Sequence, residues 1–230
     1  MNREFTKIGF LVVAGFIIII LTLGFVFKTD KPTSAFITAN PLDLSEISFI
    51  SPFRSCMGHD YSGKNIDGER ETNRSMKHYI GLKNSDPGSR AKVFAPFVGS
   101  IIQIDLEKTS RDSQVWIRPD RAEEFVFVFF HIDLMQGLTK GSQVQSGQFI
   151  GYANIKMKGD SFDIGLKKSE IFGGPNIFDS PFNYMTSEVL KEFENKGITL
   201  QNVITSKEQR DNRPCQFGQG LDQDEQIFLQ

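Results

Sequence analysis

Hydrophobic and polar positions divide the chain into four regimes. Ile8 to Phe27 is an almost wholly apolar run without a charged residue, and a helix of about 20 such residues spans a bilayer. Residues 29–46 are mostly polar, interrupted by Pro32 and Pro41, with no sustained period, which predicts a stalk. From Ile47 to about Leu166 the apolar residues come in short, β-branched and aromatic bursts of strand length. Beyond Pro181 the spacing turns helical, with Val189, Leu190 and Phe193 forming an i, i+1, i+4 stripe.

Within the third regime, Val93 to Ile104 is broken by Pro96 and Gly99, so it reads as two short strands or one bent one. Val115-Trp116-Ile117 follows a polar turn. Phe125 to Phe130 is apolar at every position and too short for a helix of its own, which predicts a strand buried on both faces. Gly141, Gly147 and Gly151 punctuate two further strands around Val144 and Phe149-Ile150. In the fourth regime Thr186 or Ser187 is the expected N-cap, and Gly197 stands at the C-terminal end. Thr205-Ser206-Lys207-Glu208 reads as a capping box opening a second short helix that Pro214 stops. The tail from Gly218 is polar and acidic and is expected to be loose.

These patterns predict an anchor over 1–28, a stalk over 29–46, a β domain over 47–180, packed helices over 181–217 and a loose tail over 218–230. The fold class is mainly β: a small antiparallel sandwich or barrel with an N-terminal transmembrane helix and a short C-terminal helical appendage. A chain of 230 residues suits one domain plus appendages. Its net charge of -2 gives no basic surface for nucleic acid.

The apolar run exceeds the roughly 7–15 residues of a secretory h-region. No A-x-A site follows in Thr33-Ser34-Ala35-Phe36, so an uncleaved anchor is favoured over a removed leader. Arg3 and Lys7 precede the run and Lys28 and Lys31 follow it, so flanking charge is nearly balanced. The short N-terminal tail is the easier end to retain, which places everything after Lys28 outside the cytoplasm. There the only cysteines, Cys56 and Cys215, would pair as a disulfide. Two buried free thiols are the other reading, because sequence does not fix their proximity.

Five stretches carry a family resemblance. Cys56-Met57-Gly58-His59-Asp60, Phe129-Phe130-His131 and Ser161-Phe162-Asp163 occupy, in order and rough spacing, the places of H-x-G-x-D, Y-x-H and H-x-H. Val93-Phe94-Ala95-Pro96-Phe97-Val98-Gly99 and the segment from Lys140 to Gly151 match a V-x-A-P-x-x-G strand pair and a G-x-x-V-x-x-G-Q-x-I-G hairpin. Together they resemble the lysostaphin-type (LytM-like) zinc metallopeptidases over roughly Ser51 to Leu166. A biotinyl or lipoyl carrier shares the V-x-x-G-Q hairpin. It would need a modifiable lysine between its two half-motifs, and Ile155-Lys156-Met157-Lys158 comes after both.

The resemblance implies a zinc site with three protein ligands and one exchangeable position. Mapped onto it, the first ligand His is Cys56, the Asp is retained as Asp60, and the H-x-H pair becomes Ser161 and Asp163, while His131 matches the Y-x-H histidine that polarises water. Two of the metal-ligand histidines are missing, so the implied metal site is degenerate. A rearranged set of Asp60, Asp163, His131 and either His59 or His78 is one alternative, since mixed imidazole and carboxylate ligands suit zinc, manganese or iron. The other is that His59 and His78 only make hydrogen bonds in polar loops and His131 closes the edge of the core. Arg74, Lys77 and Tyr79 lie in the polar segment from Glu71 to Tyr79, expected as a binding loop over the scaffold; plain solvation is the competing reading.

Three functions follow as expectations. The first is a membrane-anchored, catalytically degenerate domain facing outside the cytoplasm that binds a cell-wall polymer or regulates a protein partner. The second is an active zinc endopeptidase with rearranged ligands and His131 polarising the water. The third is an accessory subunit of a membrane complex.

Overall fold

The computed structural model describes residues 35–106, 112–154, 161–169, 177–217 and 225–230. The apolar run from Ile8 to Phe27 and the residues up to 34 lie outside the described residues. Among those described, no helix is long and apolar enough to cross a membrane.

Antiparallel pairing dominates. The main path runs β12 (Ile227–Phe228), β1 (Ile47–Ile50), β3 (His78–Leu82), β10 (Phe162–Lys168), β7 (Phe125–Leu134), β6 (Ser113–Pro119), β5 (Gly99–Leu106), β8 (Gln143–Val144). β4 (Arg90–Phe94) joins through β9 (Phe149–Asn154), which also pairs with β7. β11 (Ile177–Asp179) pairs with β10 and, in parallel, with β2 (Lys64–Asn65). The stretch broken by Pro96 and Gly99 is thus two strands, β4 and β5.

β7 is the spine of this arrangement. Its side chains alternate across the sheet, as strand geometry requires: Phe125, Phe127 and Phe129 enter the main core, whereas Val126, Val128 and Phe130 pack with Tyr61, Ile102 and Trp116 on the other face. Both faces are covered, which is why the run carries no polar residue. At one edge, β7 pairs with β10 as far as Phe130 opposite Asp163, then with β9 from Ile132 opposite Ala153. His131 falls at that change of partner and has φ 60. The register with β6 shifts at the same place, between Val115 opposite Phe129 and Ser113 opposite Ile132. A bulge of this kind redirects one side chain away from the alternation of its neighbours.

Helices close the C-terminal side. α1 (Ser187–Glu194) has Thr186 as N-cap and buries Val189 and Phe193, and Gly197 has φ +80 beyond its end. α2 (Leu200–Val203) is an unanticipated turn with a Thr199/Asn202 capping box. α3 (Lys207–Asn212) starts one residue later than the sequence suggests: the box is Ser206 with Gln209, not Thr205 with Glu208.

Two boundaries need correction. The predicted stalk is part of the domain from residue 35 on: Phe36, Ile37 and Leu42 are buried, and Leu42 and Ile37 bridge to Val93 and Met185. Its few apolar residues are spaced without a period because each fills a separate gap. Of the tail expected to be loose, 218–224 lie outside the described residues, while 225–230 add β12 to the sheet through Phe49 opposite Phe228 and Ile50 opposite Ile227; unpaired edge groups of β1 give this short segment a reason to order.

Candidate functional site

The motif loop from Cys56 to Asp60 is held at both ends. Cys56 and Cys215 form a disulfide, with Cα atoms 5.1 Å apart, so the paired reading holds. Gly58 has φ +73, and a Cβ there would fall 2.2 Å from the Tyr79 ring. Only glycine lets the loop lie on that ring, while the His59 N–H donates to Tyr79 Oη at 3.2 Å.

Beneath the loop lies a closed charge network. Glu71 accepts from Arg54 Nε at 2.8 Å and Nη2 at 2.9 Å, and from Arg74 Nη1 at 2.8 Å. Arg74 Nη2 also reaches Asp211 at 2.5 Å. Burial pushes the Glu71 carboxyl up, but the two guanidiniums outweigh it and hold it below the usual carboxylate range. Arg74 is buried and fully engaged here. The expectation that Arg74, Lys77 and Tyr79 sit on an exposed binding loop is therefore corrected: all three are buried, because the segment feeds directly into β3 rather than crossing the surface.

A second cluster gathers around the Lys77 ammonium. It donates to Asp163 Oδ2 at 2.7 Å, stands 3.4 Å from His59 Nε2, and lies 4.7–4.9 Å from the ring centres of Tyr61, Tyr79 and Phe130. Aromatic faces attract a cation electrostatically. His131 Nε2 is 3.8 Å from the same Asp163 oxygen, and its Nδ1 is 3.3 Å from Asp112 Oδ1. Burial pushes the Asp163 carboxyl up despite the ammonium beside it, and pushes the Tyr61 phenol up, with Asp163 adding to the effect. Asp163 Oδ1 is buried without a hydrogen-bond partner.

The structure brings His59, Lys77, His131 and Asp163 together and leaves His78 out. Adjacent strand residues point to opposite faces. Lys77 and Tyr79 face the cluster, while His78 is enclosed behind the sheet, its nitrogens 2.8 Å from Ser51 O and from Ser180 Oγ. Burial holds its pKa down to about 4. The carboxylate of Asp60 is engaged by the Ser62 hydroxyl. Among the described residues, no group of three or more His, Cys, Asp or Glu is placed to hold a metal ion.

Other site residues were not evident from the motifs. Asp112, just before β6, lies 3.3 Å from His131 Nδ1 and orients its ring. Lys167, two steps beyond Asp163 on the same face of β10, puts its ammonium 3.8 Å from the Trp116 ring centre and within 6 Å of Tyr61 and Phe178. The period of two along β10 carried that signal. Tyr61 and Phe178 also line a pocket of about 690 Å³ with Asp60, Lys64, Arg70 and Thr72.

No family model matches the chain, and no curated protein matches it. Solved structures similar to it are LytM-like domains and a component of a pore-forming complex. One is the SpoIIQ–SpoIIIAH pore forming complex, at 15% identity over 70% of this chain and 98% of that one, with a TM-score of 0.45. A second is a putative glycyl-glycine endopeptidase LytM from Ruminococcus gnavus, at 18% identity, 46% and 43% coverage and a TM-score of 0.37. A third is lysostaphin, at 14% identity, 56% and 52% coverage and a TM-score of 0.35. The chain spans about half the length of the last two. At these identities the likeness concerns fold only.

Proposed function

We propose that this protein is a peptidase-type scaffold that has exchanged its metal for an internal cation and binds a peptide-containing envelope polymer without cutting it. The carrying observation is the Lys77 ammonium, 2.7 Å from Asp163 Oδ2 and 3.4 Å from His59 Nε2. Asp163 replaces the second histidine of H-x-H in the resembled peptidases. Lys77 thus places its ammonium against a residue standing where those enzymes hold zinc, and a divalent ion would have to displace it.

Zinc does not fit the residues as they stand. The Cys56 sulfur is bonded to Cys215 and offers no thiolate. Asp60 is engaged by Ser62, and His78 is enclosed behind the sheet. His59, Asp163 and the half-exposed His131 ring are left, arranged around the Lys77 ammonium, and among the described residues no three His, Cys, Asp or Glu are placed to hold a metal ion, as a catalytic zinc site with three protein ligands requires. The aromatic and charged face around the cluster supports binding. Export past a membrane anchor is supported by the Ile8 to Phe27 run and by the disulfide, since such bridges persist in oxidising compartments.

The test incubates the purified protein with cross-linked muropeptide polymer in excess zinc, scoring sedimentation with the polymer and release of fragments. Co-sedimentation without fragments is expected. Zinc-dependent fragments that disappear in His131→Ala would overturn the reading.

A further inference from the structure

Lys167 is 7% exposed, yet among the described residues no carboxylate, carbonyl or hydroxyl accepts from its ammonium. Its surroundings are the faces of Trp116, Tyr61 and Phe178. Trp116 Nε1, a buried donor on the same face, likewise has no acceptor. The register explains the pairing: Lys167 lies opposite Val126, and Trp116 lies opposite Val128, so both project from the face that carries Phe130. Buried donors without acceptors are uncommon in folded proteins and call for a specific cause. Burial lowers the Lys167 pKa to about 8, with the Asp105 carboxylate opposing the shift and the Lys77 ammonium adding to it.

Between these donors and the Asp163–Lys77 pair lies Gly165. A Cβ there would rest 3.6 Å from Phe130 Cε2 and 3.7 Å from Lys77 Cβ, ordinary van der Waals contact. From Asp163 to Lys167 a strand extends about 13 Å. One end offers an unpaired acceptor, Asp163 Oδ1, and the other the unpaired Trp116 indole N–H beside the Lys167 ammonium.

We infer that Lys167 and Trp116 form a seat for the carboxylate of a bound peptide chain, one oxygen for the ammonium and one for the indole N–H. The inference deepens the proposed polymer-binding function and rests on it for the identity of the ligand. A carboxylate fits because two donors fixed on aromatic walls suit a two-oxygen anion, and because charge-assisted hydrogen bonds repay the desolvated ammonium.

Trp116 is the one tryptophan in the chain, so its fluorescence reports on the seat directly. Full-length protein is titrated with N-acetylalanine, with N-acetylalanine amide and with inorganic phosphate. The acid should change the emission saturably, the amide should not, and phosphate should bind more weakly. Lys167→Met should weaken the acid about tenfold or more, the size of one charge-assisted hydrogen bond, while Lys167→Arg retains binding and shows that the face is intact. Equal binding of acid and amide, binding unchanged in Lys167→Met, phosphate as tight as the acid, or no saturable response would each overturn the seat. Polymer sedimentation separates the two claims. Polymer bound equally by wild type and Lys167→Met removes the seat and leaves the function, whereas Lys167-dependent binding of the acid without polymer binding does the reverse.

Discussion

Two charge clusters lie on either side of the segment from Glu71 to Tyr79, and they are built to different standards. The one formed by Arg54, Glu71, Arg74 and Asp211 is closed: the buried carboxylate of Glu71 meets two guanidiniums, and the nearby disulfide ties the loop above it. The one formed by Lys77, Asp163 and His131 is left open, with an orphan carboxylate oxygen, a half-exposed imidazole and, further along the sheet, the unpaired Trp116 indole N–H beside Lys167. A protein that needed only stability would complete both, since partly satisfied buried networks are costly. The closed cluster holds the scaffold in place; the open one is where a ligand can act.

Four measurements break or sharpen that contrast. Replacing Cys56 and Cys215 by serine opens a link spanning 159 residues; chain entropy puts the loss at about 5 kcal/mol, read as a fall in the denaturation midpoint. Glu71→Ala removes the shared partner of the buried Arg74 and the part-buried Arg54 and should cost about 3–5 kcal/mol by chemical denaturation. A smaller effect would mean that the network is not a structural unit.

The third concerns His78, buried and neutral behind the sheet. Its folded pKa of about 4 lies below its ordinary value of 6.5, so below pH 6.5 the unfolded chain binds a proton that the folded one refuses. Stability is full above pH 6.5 and falls as pH drops towards 4, by about 3 kcal/mol in all. His78→Gln should flatten that part of a stability-versus-pH curve. Fourth, Lys77→Met should cost only about 1–3 kcal/mol, less than Glu71→Ala, because Asp163 can take up a proton once the ammonium is gone. A loss equal to that of Glu71→Ala would make the open cluster structural too.

Much of this was legible in the sequence where period and chemistry agree. The uninterrupted Phe125 to Phe130 run announced a strand covered on both faces, Pro96 and Gly99 announced the break between β4 and β5, and Thr186 and Gly197 bracketed α1. Pairing in space was less accessible. Nothing in the local pattern says that Cys56 lies beside Cys215, or that the sparse apolar residues from Phe36 to Leu42 fill gaps in a distant core. The segment holding Arg74 and Lys77 looked like a solvated loop because its charges are many, yet their counter-ions, Glu71, Asp163 and Asp211, come from near and far along the chain. Lys77 was visible as a cation but not as the centre of the cluster. Lys167 was visible only as one charge on an alternating strand.

The central claim, that Lys77 stands in for a metal, is tested most directly by calorimetric titration of the full-length protein with zinc at neutral pH. No stoichiometric binding to the wild type is expected. One zinc per chain, lost in both Asp163→Ala and His131→Ala, would contradict it.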